Sequence, residues 1–176
     1  MKKKYILVVF VLFGLLGTQA QSRSERKKER KEKKAAAYEE TKALVTEGAF
    51  FFRGDWAHPL GGQRISLINN YNELKLQEGN LKAFFPYFGV VHRLGRYPNN
   101  GGGIQFELPV EESDYAMEID DEKRRILISF SVENDSEFFN VTMAIYGEGR
   151  TFITVASSNR QSIKYNGKIL PLPKES

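Results

Sequence analysis

The 176-residue chain contains no cysteine. That absence excludes disulfide bonds, thiolate metal sites, a cysteine nucleophile and lipid attachment at an N-terminal cysteine. Histidine is also scarce, since His58 and His92 are the only two. They are too far apart in the sequence to lie together on one helix turn or one strand, where paired histidine ligands are usually found. We therefore expect neither a metal nor a cofactor.

Motifs for catalysis are missing as well. No serine lies in a Gly-x-Ser-x-Gly pattern, and no phosphate-binding glycine pattern precedes a helix. The carboxylates of Glu111–Glu112 and Asp120–Glu122 have the chemistry for acid–base catalysis or calcium binding. Both clusters lie at the ends of predicted strands, where acidic residues are usually part of solvated turns. The sequence therefore marks no catalytic residue, and we do not expect an enzyme.

The N-terminus has the three parts of a secretory signal peptide. Lys2–Lys4 form a positive segment, Tyr5–Leu16 form an uncharged apolar run, and a short stretch of small residues leads to Ala20. The apolar run is shorter than the ~20 residues that a membrane-spanning helix needs. We therefore expect residues 1–20 to be a signal peptide cleaved after Ala20, and the mature protein to be periplasmic or secreted. A membrane anchor is the alternative.

Charge is unevenly distributed along the chain. Of 26 basic and 22 acidic residues, eight basic and three acidic ones lie in Ser22–Lys34, whereas Ala35–Ser176 carries 15 basic and 19 acidic ones. Residues 21–47 are rich in Ala, Glu, Lys and Arg, which are strong helix formers. We predict that residues 21–47 form a basic helical arm, with a helix from about Ser24 to Glu47 and Ser24 as its N-terminal cap.

The two halves of this predicted helix differ in polarity. Arg23–Lys34 has no apolar face and is expected to be exposed, whereas Tyr38, Leu44 and Val45 provide apolar side chains for docking on the folded domain. The basic half suits an anionic membrane surface or an acidic partner. The alternative is a solvated helix that spaces the domain from its terminus, since runs of charge usually form solvent-exposed faces. No nucleic acid partner is expected, because the protein is predicted to be exported and the basic run has no interleaved aromatic residues.

Apolar and polar residues alternate with period two from Arg124 to Gly167. Such alternation places one side of each strand against a core and the other towards water. The breaks at Glu133–Ser136 and Gly147–Gly149 are short, which favours hairpins, and Asn166–Gly167 is interpreted as a further turn. The residues predicted to face the core are Ile126, Ile128, Phe130, Val132, Phe139, Val141, Met143 and Ile145.

Residues 48–170 are predicted to form one antiparallel β domain, followed by a C-terminal tail at 171–176. A hairpin is expected around Glu78–Asn80, and Gly54–Gly62 and Gly95–Gly103 are interpreted as loops because of their glycine and proline content. In total we expect nine or ten strands and one N-terminal helix. The fold is predicted to be mainly β, an antiparallel meander that forms a β-sandwich or an incomplete barrel.

Five blocks of sequence resemble the recurring signatures of a secreted bacterial family, typical of Bacteroidota and catalogued as domain of unknown function 4251. The blocks are Arg53–Gly62, Asn70–Tyr71, Phe85–Gly89, Gly102–Phe106 and Ser158–Gly167. The resemblance covers Phe50 to Ile169 and implies an exported β domain. One departure is Phe85, where the family often has leucine, an exchange of one apolar residue for another. The resemblance brings no activity, substrate or catalytic residue.

The candidate ligand-binding residues are Trp56, Tyr87, Asn159 and Arg160. Each is expected in or next to a loop or a strand end, and their aromatic, guanidinium and amide groups suit a sugar, a peptide or an aromatic ligand. The alternative is structural: the aromatic residues cover the end of the sheet, and Arg160 pairs with an acidic residue. We therefore expect a non-catalytic periplasmic binding module for a small molecule, glycan or peptide. A structural or envelope-interaction protein that uses the basic helix is the alternative.

Overall fold

The computed structural model describes the backbone of residues 2–92, 102–134 and 137–173, and the side chains of residues 23–92, 102–133 and 137–173. The side chains of the predicted signal peptide and most of the predicted loop at Gly95–Gly103 therefore lie outside the described residues. The chain forms two compact units, Met1–Ala36 and Ala37–Ser176.

The secondary structure consists of one long helix followed by β-strands. The helix is α1 (Lys2–Glu47), and two 3₁₀ turns occur at Val110–Glu112 and Gly147–Gly149. The ten strands of the described ranges are β1 (Phe50–Pro59), β2 (Ile65–Ser66), β3 (Glu73–Gln77), β4 (Asn80–Phe85), β5 (Ile104–Pro109), β6 (Ala116–Asp120), β7 (Arg125–Asn134), β8 (Glu137–Tyr146), β9 (Arg150–Ser157) and β10 (Ile163–Pro171).

The strands form one antiparallel sheet that curls into a half-barrel. Its order is β5-β4-β3-β1-β10-β9-β8-β7-β6, and β2 pairs with β1 beside this path. Strands β6 to β10 are a meander, as predicted, because each of them pairs with its neighbour in sequence. β1 then pairs with β10 and joins the meander to the N-terminal strands. Of the two predicted architectures, the incomplete barrel is confirmed.

The inner face of the curled sheet carries the hydrophobic core. All eight apolar residues that the alternation predicted to face inward are buried, from Ile126 on β7 to Ile145 on β8. The last turns of α1 contribute Tyr38 and Val45, both 2% exposed, and Leu44 packs against the same core. The predicted phase of these strands and the predicted docking of the helix are therefore confirmed.

The end of α1 agrees with the prediction, but its start does not. Gly48 follows the last helical residue with a φ of 71° and donates its N–H to Val45 O, an arrangement that ends helices. The helix begins at Lys2 rather than near Ser24, so Ser24 lies within the helix and is not its cap. No proline occurs from Lys2 to Glu47, and a glycine inside a helix costs only ~1 kcal/mol. The helix is therefore not interrupted at Ser24.

One predicted loop and one predicted turn are instead strand, and a β-bulge lies between them. β1 continues through Trp56 to Pro59, where a loop was predicted, and β10 continues through Asn166–Gly167, where a turn was predicted. The register between these strands shifts between Gly54 and Trp56. There the backbone of Gly167 lies close to that of Arg53, since a Cβ on Gly167 would lie 2.0 Å from Arg53 O. The Asn72 side chain fills the space beside Gly54, where a Cβ would lie 2.7 Å from Asn72 Oδ1. Gly54 and Gly167 therefore leave room for neighbouring atoms at the bulge and do not mark a turn.

Candidate functional site

Three of the four predicted site residues lie together at one end of the sheet. The guanidinium carbon of Arg160 lies 5.2 Å from the ring centroid of Tyr87. The Tyr87 hydroxyl group lies within hydrogen-bonding distance of Val90 O and Gln161 O, at 2.8 and 3.0 Å. The backbone N–H of His92 donates a hydrogen bond to the backbone carbonyl oxygen of Asn159, at 2.8 Å. The segment after β4 is therefore held against the β9–β10 loop.

Arg160 is a buried cation whose donors bind other parts of the protein. Its side chain is 5% exposed and forms an ion pair with the 4% exposed carboxylate of Glu137, with Nη2 at 2.8 Å from Oε2. Its Nε donates to both Glu137 oxygens, and its Nη1 donates to Gly102 O at 2.7 Å and to Gly103 O at 3.2 Å. Arg160 therefore connects the β9–β10 loop to the start of β8 and to the start of β5.

The neighbouring Tyr165 belongs to the same end of the core. Its ring stacks on Phe85 with centroids 4.6 Å apart, and its hydroxyl donates to Pro86 O at 2.8 Å. Burial, followed by the proximity of Tyr87, raises the pKa of Tyr165 well above its usual value. Tyr165 therefore stays neutral at physiological pH and acts as a hydrogen-bond donor to the backbone.

Trp56 lies on the opposite face of the sheet from this cluster. Ala57 and Tyr165 are paired across β1 and β10 and are both buried on the inner face. Trp56 is paired with Asn166, the residue after Tyr165, so its side chain points to the outer face. There the guanidinium carbon of Arg64 lies 4.3 Å from the Trp56 ring centroid. The structure therefore brings Tyr87, Asn159 and Arg160 together and separates Trp56 from them.

The outer face around Trp56 carries polar and aromatic groups that sequence reasoning missed. Asn166 is hydrogen-bonded to the His58 side chain and is paired on its other side with Phe152 of β9. Phe152 is 45% exposed. Trp56, Asn166 and Phe152 thus form one row across three strands. Phe152 alternates with the apolar residues Ile153 and Val155 in the sequence, but no local signal indicates that it lies two strands from Trp56.

A family model described as a domain of unknown function, DUF4251, matches residues 32–169. The chain belongs to the DUF4251 family. This match confirms the family that the five sequence blocks resemble. It begins before Phe50 and therefore includes the helical residues that dock on the core, Tyr38 to Val45.

Among solved structures, the DUF4251 chain is similar to a DUF4251 family protein from Bacteroides eggerthii DSM 20697, known from a crystal structure at 1.95 Å resolution. The TM-score is 0.56 at 18% sequence identity, over 78% of this chain and 89% of that one. At this identity the similarity shows a common fold. No curated protein shows significant similarity to the chain.

A cleft of about 470 Å³ opens beside the bulge of the DUF4251 domain, between Arg53–Asp55 and Leu67–Asn72. The buried Asn72 holds its two walls together, since Oδ1 accepts from Gly54 N at 2.6 Å and Nδ2 donates to Asn70 O at 2.9 Å. The side-chain amide of Asn72 therefore stabilises the cleft through hydrogen bonds to the backbone. Within the described ranges, no group of three or more His, Asp or Glu side chains has a geometry that could hold a metal ion.

Proposed function

We propose that this protein is a non-catalytic binding module whose ligand, a small molecule, glycan or peptide, binds on the outer face of the sheet around Trp56. The observation that carries the proposal is the position of Trp56, a half-buried aromatic ring on the outer face, with the exposed residues Arg64 and His58 beside it. We further propose that residues 1–20 are a signal peptide and that the module acts in the periplasm or outside the cell.

The two faces of the sheet differ in what they offer to a ligand. The inner face carries the buried core, and the donors of Arg160 bind Glu137 and backbone carbonyls. The outer face carries an aromatic ring, a guanidinium group and the side-chain amide of Asn166 within one neighbourhood. Aromatic faces and planar hydrogen-bonding groups are what binding sites for sugars and peptides use to orient their ligands. These features support the outer face as the ligand surface.

Trp56 provides its own probe, because it is the only tryptophan in the chain. A panel of neutral oligosaccharides, acidic oligosaccharides and short peptides should be titrated into the protein while tryptophan emission is followed. At least one class is expected to shift the emission saturably, since a ligand on this face changes the environment of the ring. Isothermal titration calorimetry should give the same affinity.

The variant Trp56→Ala is expected to abolish this binding while leaving the midpoint of urea unfolding nearly unchanged. Phe138→Ala is the matched control, because Phe138 is a 39% exposed aromatic residue on β8, and it should bind like wild type. A panel without any saturable binder, or equal loss of fold and binding in Trp56→Ala, would contradict the proposal.

A second candidate function is supported by the distribution of charge around α1. All side chains from Arg23 to Lys34 are exposed. At 100° per residue, three glutamates, Glu25, Glu29 and Glu32, cluster within about 60° of the helix circumference. Seven of the eight basic residues share about 160° on the other side: Arg23, Arg26, Lys27, Arg30, Lys31, Lys33 and Lys34. We propose that this basic face binds an anionic membrane surface or an acidic partner.

The membrane version is tested by flotation with phosphatidylserine-containing vesicles. The protein should bind in low salt and be released at high salt, and replacing Arg23, Arg26 and Arg30 with Gln should weaken binding about a hundredfold. The charge-matched control replaces Lys75, Lys82 and Lys123, which lie outside the arm. Binding that ignores salt, or that both variants weaken equally, would refute a membrane role of the arm. Within the part of the chain whose side chains are described, no helix is long and apolar enough to cross a membrane.

A further inference from the structure

We propose that the ligand of the outer face is an acidic polysaccharide, bound across β1, β10 and β9 by a row of cations that borders the aromatic row. This inference rests on the proposed binding function and names the chemical class of the ligand. Three observations support it: the register of the three strands, the lack of acidic partners for these cations within the described residues, and the contacts between the arginines and aromatic rings.

Three cations lie side by side across the sheet. Arg53 of β1 is paired with Lys168 of β10, and Lys168 is paired in turn with Arg150 of β9. All three are exposed. Like charges directly opposite each other on neighbouring strands are destabilising. Three like charges in one row therefore destabilise the sheet. This cost suggests that the row serves binding rather than stability.

The three strands that carry the row have little acidic charge of their own. Two further exposed cations, Lys164 and Arg64, lie on the same outer face. None of the five cations forms an ion pair with any residue of the described ranges. Asp55 is the only acidic residue in β1, β9 and β10. Residues Ala35–Ser176 nevertheless carry 19 acidic against 15 basic residues, so positive charge is concentrated on this face of a domain with a net negative charge.

Aromatic rings hold the three arginines of this face. The guanidinium carbon lies 4.3 Å from the Trp56 ring centroid for Arg64 and 5.7 Å from the Phe51 ring centroid for Arg53. Arg150 lies over the ring of Phe152 at 6.0 Å. A guanidinium that stacks on a ring keeps its N–H groups at the edge available, and its planar fork matches a carboxylate. The arginines are therefore preorganised for anionic groups of planar geometry.

The position of the aromatic row beside the cationic row favours an acidic polysaccharide over other polyanions as the ligand. The row of Trp56, Asn166 and Phe152, here called the aromatic row, lies directly beside the cationic row. On β10 and β9 the two rows are two residues apart, which is about 7 Å along a strand. Sugar rings offer apolar faces and hydroxyl groups to the aromatic row, and their acidic substituents reach the cations. A flat membrane meets only part of a curled sheet.

The test compares polygalacturonate with its fully methyl-esterified form, since the two share a backbone and differ in charge. Isothermal titration calorimetry with the whole protein is expected to show binding of the acidic form and at least about tenfold weaker binding of the ester. The double variant Arg53→Gln/Lys168→Gln should lose about tenfold or more in affinity for the acidic form. Addition of about 0.5 M salt should weaken the wild type more than this variant.

Lys82→Gln/Lys123→Gln is the matched control, because it removes the same charge from two exposed residues elsewhere. All proteins retain the basic arm, so a difference between the two variants reports on the row of Arg53, Lys168 and Arg150. Equal affinity of the two double variants, or tighter binding of a homothymidine oligonucleotide than of polygalacturonate, would overturn the assignment.

The outcomes separate this inference from the binding function on which it rests. Saturable binding of a neutral sugar or peptide at Trp56, without preference for the acidic polymer, overturns the acidic ligand and leaves the binding module standing. Absence of any ligand that shifts Trp56 emission overturns both. Preference for polygalacturonate that Arg53→Gln/Lys168→Gln removes supports both.

Discussion

At the scale of single residues, Arg160 shows how a buried charge is matched by the protein itself. Its guanidinium binds the Glu137 carboxylate and the carbonyl oxygens of Gly102 and Gly103. Burial of two charges is favourable only when their remaining donors and acceptors are also satisfied. Ser157 donates a hydrogen bond to the same carboxylate. These contacts indicate that Arg160 and Glu137 stabilise the end of the half-barrel.

The variant Arg160→Ala is therefore expected to lower the free energy of unfolding by ~3–5 kcal/mol, because it leaves the Glu137 carboxylate buried without its cation. The double variant Glu137→Ala/Arg160→Ala should be less destabilised than the sum of the two single variants by more than ~1 kcal/mol. Urea denaturation of the four proteins gives all the values. Additive effects would show that the two residues do not act as a pair.

At the scale of elements, the last turns of α1 are held by both packing and polar contacts. Tyr38 is buried and donates its hydroxyl to Asp121 Oδ1 at 2.8 Å, and Lys42 Nζ lies 2.7 Å from the same oxygen. Burial, followed by the hydrogen bond to Asp121, raises the pKa of Tyr38 to about 12. The hydrogen bond from Lys42, followed by that from Tyr38, lowers the pKa of Asp121. The helix is thereby anchored at the β6–β7 turn.

This anchor predicts a dependence of stability on pH. Because the pKa of Tyr38 is raised in the folded protein, its contribution is fully present below the ordinary value of 10.0 and is lost as pH rises through about 12. Near neutral pH, Tyr38→Phe should lower the free energy of unfolding by ~0.5–1.5 kcal/mol. The difference from wild type should shrink from pH 10 upwards in urea denaturation. A difference that stays constant up to pH 12 would show that Tyr38 does not donate to Asp121.

At the scale of the whole β unit, the two ends of the sheet meet through side chains. Phe106 of β5 lies at one end of the strand order, and its ring centroid is 5.9 Å from Phe130 of β7 and 6.3 Å from Phe139 of β8, near the other end. The backbone N–H of Ser131 also donates to Ser113 O, at 2.7 Å. Core side chains therefore connect the two edges of the half-barrel, although the edge strands β5 and β6 do not pair with each other.

Loss of Phe130 should consequently be costly. Phe130→Ala removes a 3% exposed ring that contacts both ends of the sheet, and we expect it to lower the free energy of unfolding by ~3–5 kcal/mol. Phe138→Ala, at a 39% exposed position, should cost less than ~1 kcal/mol. Guanidinium denaturation compares the two. A small cost for Phe130→Ala would mean that this ring does not belong to the core.

Much of the fold follows from local sequence patterns. The alternation from Ile126 to Ile145 predicted the buried side of β7 and β8, because successive side chains of a strand point to opposite faces. Helix-forming residues followed by Gly48 predicted the end of α1, and the apolar positions 38, 44 and 45 predicted the docking surface. Five short blocks predicted the family. The sequence grouped Trp56, Tyr87, Asn159 and Arg160 as one candidate site, and the structure brings the last three together and separates Trp56 from them.

The sequence by itself thus determined the inner faces of β7 and β8, the docking half of the helix and the family. Only the tertiary structure decided the rest, namely how β1 joins the meander, where the bulge lies and how the sheet curls. Trp56 faces outward because β1 shifts its register against β10, about a hundred residues later in the chain. The partners of Arg160 and the row of Arg53, Lys168 and Arg150 likewise depend on contacts between segments far apart in the chain. Local alternation excludes a slip of one residue, but it does not distinguish registers that differ by two residues, since both keep the same inner face.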